Sequence, residues 1–171
     1  DNLPKLKKFF WQTPAFANLT FAKSQDLEIL FATAPWGKLN ADLGNKPKLK
    51  DITLYNANLS KLAVSNATAV NLLKDSSAPA EVVEFDNIDP AQAVSYIKRT
   101  AVTTKKEGSS TVTIPVTKSI TLKNMSLTEA QILDLISGLG ATNGTLKVKA
   151  DLLTTAVKAA LTAKGWTGSS L

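Results

Sequence analysis

The feature that most constrains the fold is a short strand pattern that occurs three times: apolar, any residue, apolar, any residue, asparagine. The copies are residues 52–56, 83–87 and 120–124. A fainter copy at residues 19–21 precedes them and another at residues 146–148 follows, and each leads into an apolar stretch with helical spacing. Successive copies recur at intervals of roughly 25 to 40 residues, and strand and helix units of that length, repeated along a chain, are typical of solenoids.

The alternation within each copy predicts which side chains face the core. Side chains of an extended strand point to opposite sides in turn, so Ile52, Leu54 and Asn56 are expected on the inner side, and likewise in the other copies. We expect each inward asparagine to bond backbone groups of the neighbouring unit. The outward positions are then Thr53, Tyr55, Glu84, Asp86, Thr121 and Lys123.

Helix starts follow the strand copies. Asp89 with Gln92, and Ser126 with Glu129, have the spacing of capping boxes, and the first of these has proline at the first helical position. Asn58 is predicted to cap a helix after the strand at residues 52–56. The apolar residues that follow at helical spacing are predicted core positions: Leu59, Leu62, Val64, Val70, Leu73, Ala93, Val94, Ile97, Ile132, Leu133, Leu135, Ile136, Leu139, Leu152, Leu153, Val157, Ala160 and Leu161.

An inserted excursion explains the longest repeat. Residues 105–110 form a polar turn signal, and residues 112–116 are a short alternating run in which a proline favours an edge or a bulge.

Residues 138–144 are rich in glycine, but they end a helix and lead into a strand, whereas a phosphate-binding loop ends a strand and opens a helix. We therefore interpret residues 138–144 as helix termination and a turn.

The two ends of the chain have the features of caps, which a solenoid needs to cover its open core. The N-terminal cap is assigned to residues 1–17, whose apolar positions are Leu3, Leu6, Phe9, Phe10 and Trp11. Attachment to a membrane surface is the alternative for this segment. Residues 18–164 hold the repeats, and residues 165–171 form a C-terminal lid. Gly165 is predicted to end the last helix, with Trp166 packed beneath the lid. The 171 residues then make one domain.

The strand motif with its nearby asparagine and following helix resembles the leucine-rich-repeat family, over roughly residues 19–167. The segment at residues 144–149 and 159–167 is similar to the terminal repeat of bacterial surface and phage-associated leucine-rich-repeat proteins, which often finish in a glycine, tryptophan and threonine lid. In the usual motif the asparagine falls three residues after the last strand leucine, whereas here it falls two residues after. The resemblance implies an α/β fold, a short parallel βα solenoid of about five irregular repeats, and a binding or adhesion module.

The composition limits the catalytic and metal-binding chemistry available to this chain. The chain contains no histidine and no cysteine, which excludes the commonest general base, the thiol nucleophile and most transition-metal sites. We therefore predict no enzyme, no metal and no cofactor. The carboxylates of Glu84 and Asp86 leave open an acid/base pair acting on a polysaccharide. The Asn-x-Ser/Thr sequons at Asn18, Asn58, Asn66, Asn124 and Asn143 matter only if the source organism glycosylates the protein.

The type and distribution of the basic residues argue against nucleic-acid binding. Its formal net charge is +6, but Arg99 is the only arginine and the lysines are spread along the sequence without interleaved aromatic residues. We expect no nucleic-acid partner. No apolar run approaches the roughly 20 residues that cross a bilayer, and we expect no membrane contact except through an anchor outside the chain. The N-terminal residues lack a signal-peptide layout, so any export signal is expected to be gone already.

These features lead to a functional hypothesis. We predict a non-enzymatic binding or adhesion module of a surface or exported protein, located at the cell surface or outside the cell, that recognises a protein or a glycan with the outward faces of its strands. The alternative is a structural component of a virion or surface layer that packs against copies of itself. The residues predicted to contact a partner are Tyr55, Glu84, Asp86, Lys123, Lys147 and Lys149.

Overall fold

A computed structural model describes residues 3–12, 18–33 and 38–171. Within these residues the chain is mixed α/β with mostly parallel sheets, which confirms the predicted class. The strands are β1 (Lys8–Gln12), β2 (Asn18–Thr20), β3 (Ile29–Thr33), β4 (Lys38–Asn45), β5 (Asp51–Tyr55), β6 (Asn58–Ser65), β7 (Ala80–Asp86), β8 (Val102–Glu107), β9 (Ser110–Pro115), β10 (Ser119–Lys123), β11 (Thr145–Val148) and β12 (Thr167–Ser170). The helices are α1 (Pro90–Thr100), α2 (Glu129–Ser137) and α3 (Thr155–Ala163), with a 3-10 turn at Ala150–Leu152.

In the N-terminal half the chain alternates between two parallel sheets. Strands β1, β3 and β5 form a three-stranded sheet, and β2, β4 and β6 begin a seven-stranded sheet whose order is β12-β11-β10-β7-β6-β4-β2. Lys8 pairs with Ile29 in the first sheet and Leu59 pairs with Ala80 in the second, so strands pair at the same interval along the chain in both sheets. The buried side chains between the sheets are almost all aliphatic, and they belong to one cluster that runs the length of the molecule.

The predicted neighbour relations are wrong for the first two strand copies. Ile52 and Leu54 lie in β5 of the three-stranded sheet, whereas Val83 is paired with Leu62 of β6 in the other sheet. The fainter copy at residues 19–21 overlaps β2, at the far edge of the seven-stranded sheet. The later copies are confirmed, because Val83 pairs with Ile120 and Ile120 pairs with Leu146.

The helix predicted after Asn58 is wrong, because residues 58–65 form strand β6. The pairing of β4 with β6 shifts by one residue between Leu39 and Asn40, so Ser60 is an extra residue in the strand. This bulge places the buried Leu59 and Leu62 three residues apart, which imitates helical spacing in the sequence. Val70, assigned to the same helical face, is 66% exposed.

The helical stretch expected after residues 19–21 is also wrong, because β3 follows there. The helices predicted after the three later copies are present, with one change of cap. Asp89 caps α1 by accepting a hydrogen bond from the Gln92 amide, and proline holds the first helical position. The Gln92 side chain instead accepts from the Leu73 backbone, so the full box predicted there does not form. The cap of α2 is Thr128, which forms a capping box with Gln131 two residues after the predicted one.

The asparagines that end the strand copies are exposed, which corrects their predicted inward position. Asn56, Asn87 and Asn124 have φ angles of 53°, 50° and 48°. This left-handed conformation is one that asparagine tolerates better than most residues. The backbone leaves the strand at each asparagine, so the alternation of the strand no longer decides where its side chain points.

The excursion and the C-terminal segment agree with the sequence predictions. Residues 102–115 form the antiparallel β8–β9 hairpin before β10. Gly138 follows α2, and Gly165, with a φ of 73°, follows α3. Trp166 is buried beside Gly144, and β12 pairs with β11 at the edge of the sheet. Within the predicted N-terminal cap, Lys8–Gln12 form β1, an edge strand of the three-stranded sheet, and residues 1–2 and 13–17 lie outside the described residues. In the part of the chain described, no helix combines the length and hydropathy needed to span a membrane.

Candidate binding surface

Four of the six predicted contact residues lie together on the solvent face of the seven-stranded sheet. Glu84 and Asp86 belong to β7, Lys123 to β10 and Lys147 to β11. Asp86 is paired directly with Lys123. Lys149 is exposed immediately beyond the end of β11. Their neighbours in each strand, such as Val83 and Phe85 beside Glu84, are buried, so alternation holds these charged side chains on the outer face.

Tyr55 does not belong to this surface. It lies in β5 of the three-stranded sheet, where its ring makes an edge contact with Phe31 at a centroid distance of 5.4 Å. Phe10 contacts the other side of Phe31 at 5.9 Å and is 63% exposed. Phe10, Phe31 and Tyr55 therefore form a short aromatic row on a second, separate face.

The seven-stranded sheet has a groove of about 500 Å³ at the predicted contact residues. Small side chains make the depression: Gly44, Ala63, Ser65 and Thr121. The groove also contains Asp42, Glu84, Asp86, Lys123, Lys147, Ser170 and Leu171, together with atoms of the buried Val64 and Phe85. Two rows of side chains cross it, because Ala63, Glu84, Thr121 and Lys147 are successive partners in the sheet, as are Ser65, Asp86 and Lys123.

An ion-pair network fixes one side of the groove. The ammonium group of Lys61 lies 3.1 Å from a carboxylate oxygen of Asp42 and 2.8 Å from one of Glu84. The hydrogen bond to Glu84 is the main cause that raises the pKa of Lys61, with a smaller contribution from Asp42. Lys61 therefore stays protonated at neutral pH and neutralises part of the acidic charge on β4 and β7.

The other side of the groove carries lysines that have no counter-ion in the part of the chain that the structure describes. Lys123, Lys147 and Lys149 form no ion pair with any residue the structure describes. Asp86 accepts a hydrogen bond from the Asn124 side chain at 2.7 Å. The face is thus polarised, with carboxylates on β4 and β7 and unpaired ammonium groups on β10 and β11.

A ladder of exposed amides lines the edge where the strands end. The side-chain amide of Asn66 donates to Asn45, and that of Asn87 donates to Asn66, each at 2.8 Å. The same interval along the chain separates the members of both pairs. Each ladder bond joins the end of one strand to the end of its neighbour in the seven-stranded sheet, so the bonds support the strand ends that border the groove.

Two further copies of the strand pattern point to part of this surface, and the sequence predictions did not include them. Residues 41–45 and 62–66 also read apolar, any, apolar, any, asparagine, and they are the ends of β4 and β6. Their outward positions include Asp42, Ala63 and Ser65, which line the groove. Lys61 was missed because its segment was assigned to a helix.

The groove presents charged and hydroxyl side chains. Glu84, proposed in the enzymatic alternative, is held by Lys61, and Asp86 is held by Asn124. In residues 3–12, 18–33 and 38–171 no three histidine, cysteine or acidic side chains are grouped in a way that could hold a metal ion.

Comparison with known proteins gives no relative from which a role could be transferred. No family model matches the sequence, and neither curated proteins nor solved structures yield a significant match.

Proposed function

We propose that this protein is a non-enzymatic recognition module with a leucine-rich-repeat-like solenoid fold, which binds a protein or glycan partner in the groove of its seven-stranded sheet. The observation that carries the proposal is the groove itself. It is a concave volume of about 500 Å³, within the range of small-ligand sites. It contains the exposed charges of Glu84, Lys123 and Lys147 and the half-buried carboxylate of Asp86.

The arrangement of the sheets supports a solenoid. Through the first seven strands each unit pairs in parallel with the next unit of the same sheet, at a nearly constant interval along the chain. The interval lengthens in the strand pairs that enclose α1 and α2 and shortens again in the pair that encloses α3. Regular nearest-neighbour contacts of this kind are what solenoid proteins share, and their continuous outer faces are common binding surfaces.

An extracellular setting is part of the proposal. The resemblance of residues 144–149 and 159–167 to the terminal repeat of bacterial surface and phage-associated proteins supports it, and a cysteine-free chain is compatible with export. We propose that the module acts at a cell surface or in the medium.

The test is a binding screen with two matched variants. Labelled protein is applied to panels of glycans and of surface proteins, and each ligand found is measured again with Ser65→Phe/Thr121→Phe, which fills the groove. The control is Phe10→Ser, which changes the aromatic row on the three-stranded sheet. Loss of binding in the groove variant alone supports the proposal. Equal binding by the groove variant, or loss with Phe10→Ser alone, refutes the assignment to this face.

A structural, self-packing role is the second candidate, and the β8–β9 hairpin favours it. Both strands of the hairpin are exposed along most of their length, and Val112 and Ile114 are 39% and 37% exposed. An uncovered two-stranded ribbon with open edges is a site at which strands of another molecule can pair. Sedimentation over a range of concentrations separates the two roles, because a packing component assembles and a receptor module stays monomeric. Assembly abolished by Val112→Lys/Ile114→Lys supports the structural role.

A further inference from the structure

We infer that the ligand of the groove is an acidic glycan, an oligosaccharide whose carboxylate or sulfate group is held between Lys123 and Lys147. This inference rests on the proposed binding function and specifies its ligand. It follows from three properties of the groove: the unpaired lysines, the acceptor and hydroxyl groups beside them, and the nature of the remaining lining.

The lysine pair forms a site for one anion. Lys147 is paired with Thr121, and Lys123 lies two residues further along the same neighbouring strand. From the spacing of strands and residues in a sheet, their Cα atoms are about 8 Å apart. Flexible side chains rooted at that distance can converge on one anionic group, with charge-assisted hydrogen bonds from both ammonium groups. Since neither lysine has a counter-ion among the residues described, no ion pair has to break first.

The neighbouring groups suit sugar hydroxyls. Among the described residues the Asp86 carboxylate accepts one hydrogen bond, from Asn124, and its second oxygen can accept from a ligand hydroxyl. Thr121, Ser65 and Ser170 line the same groove with hydroxyl groups that donate or accept. Successive partners across the sheet lie about 4.8 Å apart. An extended ligand that crosses the strands therefore meets Ser65, Asp86 and Lys123 in turn, so that its hydroxyls and its anion contact different groups.

The lining disfavours two other anionic partners. Protein interfaces are commonly anchored by aromatic residues and arginine. Among the described residues that line the groove there is no arginine, and the one aromatic residue, Phe85, is buried. Single-stranded nucleic acid is bound through exposed aromatic rings on which bases stack, and none of the lining residues that the structure describes supplies one. A polar groove with a small cationic end fits a hydrophilic chain with isolated anionic groups.

Calorimetry with paired probes tests the inference. The intact chain is titrated with oligogalacturonate, hyaluronan and heparin oligosaccharides, with methyl-esterified or desulfated forms of each, and with acidic peptide and single-stranded DNA of equal charge. We expect at least one acidic oligosaccharide to bind, and its neutralised form to bind at least about tenfold more weakly. Lys123→Gln/Lys147→Gln should lower the affinity for the acidic form by a similar factor. Lys106→Gln/Lys158→Gln, which removes the same charge from exposed positions elsewhere, should leave it unchanged.

The outcomes separate this inference from the function on which it rests. Equal binding of acidic and neutralised glycans, preference for the acidic peptide or for DNA, or an equal effect of both lysine pairs overturns the acidic-glycan assignment. If a neutral glycan or a protein still binds and the Ser65→Phe/Thr121→Phe variant abolishes that binding, the proposed function stands without this ligand class. If the groove-filling variant alters no binding at all, the proposed function fails.

Discussion

Replacing Lys46 with methionine should stabilise the fold. Lys46 is fully buried, and its ammonium group donates one hydrogen bond, to the Asn45 carbonyl at 3.0 Å. It forms no ion pair with a described residue. Lys46 lies three residues after the buried Leu43. The same position in other units, three residues after a buried strand residue, is occupied by Ala57, Ala67, Ile88 and Met125, which are all buried.

The magnitude follows from the donors that lack a partner. An ammonium group has three donors, so two of them have no protein acceptor in the described residues, and an unsatisfied buried polar group costs about 1–3 kcal/mol. Methionine keeps a flexible stem of similar length and fills such positions readily. We expect Lys46→Met to raise the free energy of unfolding by about 1–3 kcal/mol, and Tm by about 2–12 °C for a chain of this size.

The pH dependence gives an independent check. Desolvation lowers the pKa of Lys46 below its ordinary value of 10.5. Between its pKa in the folded protein and 10.5, the unfolded chain binds more protons than the folded chain, so the stability contribution of Lys46 increases as pH rises through that interval. The difference between Lys46→Met and wild type should therefore be largest at neutral pH and shrink as the pH approaches 10.5.

Chemical denaturation at several pH values measures both effects. Lys74→Met, at an exposed position, is the control and should change stability by less than about 0.5 kcal/mol at every pH. A destabilised Lys46→Met variant, or a difference that does not change with pH, would refute the reasoning.

Three further substitutions test other parts of the fold. Gly144→Ala places a Cβ 2.4 Å from the Trp166 ring and should lower the free energy of unfolding by about 1–3 kcal/mol. We expect a red shift of the tryptophan emission, because the ring becomes exposed. Tyr96→Phe removes the buried hydrogen bond to the Ala78 carbonyl (2.8 Å) and should lower the denaturation free energy by about 1–2 kcal/mol; an unchanged value would mean that the bond contributes nothing. Asn87 has a φ of 50°, and Asn87→Ala should lower the free energy of unfolding by about 1–2 kcal/mol. Asn87→Gly, which retains the backbone freedom, should lower it by less. The reverse order in thermal melts would contradict the backbone argument.

The sequence predicted the C-terminal half well because its signals are local. Asp89 and the proline after it mark the start of α1, and Ile132, Leu135 and Ile136 mark the buried face of α2. These features depend on residues within a few positions of one another, so tertiary contacts reinforce them and do not compete with them. The hairpin before β10 followed from turn residues in the same way.

The candidate surface was only partly predictable, because it depends on which strands become neighbours. Alternation placed Glu84 and Lys123 on an outer face, but it places Tyr55 on an outer face equally well. Tyr55 belongs to the other sheet because its strand, β5, pairs with β3, and this pairing joins residues far apart in the sequence. The bulge at Ser60 is also set by pairing, since it exists only relative to β4, and it concealed the strand that carries Lys61.

The spacing of the asparagine motif explains how one pattern serves two different sheets. Apolar, any, apolar, any, asparagine specifies a strand followed by a left-handed turn, and it does not specify a partner. Asn45, Asn56 and Asn66 follow one another closely, with room between them for one strand and a turn, so successive copies fall in alternate sheets. Asn87 and Asn124 are much further apart, which leaves room for a helix, so both copies return to the same sheet. The spacing of these copies therefore governs which outward residues share the groove. Length alone does not determine whether a strand or a helix completes a unit, because β11 and β12 enclose α3 at nearly the interval that separates β6 from β7.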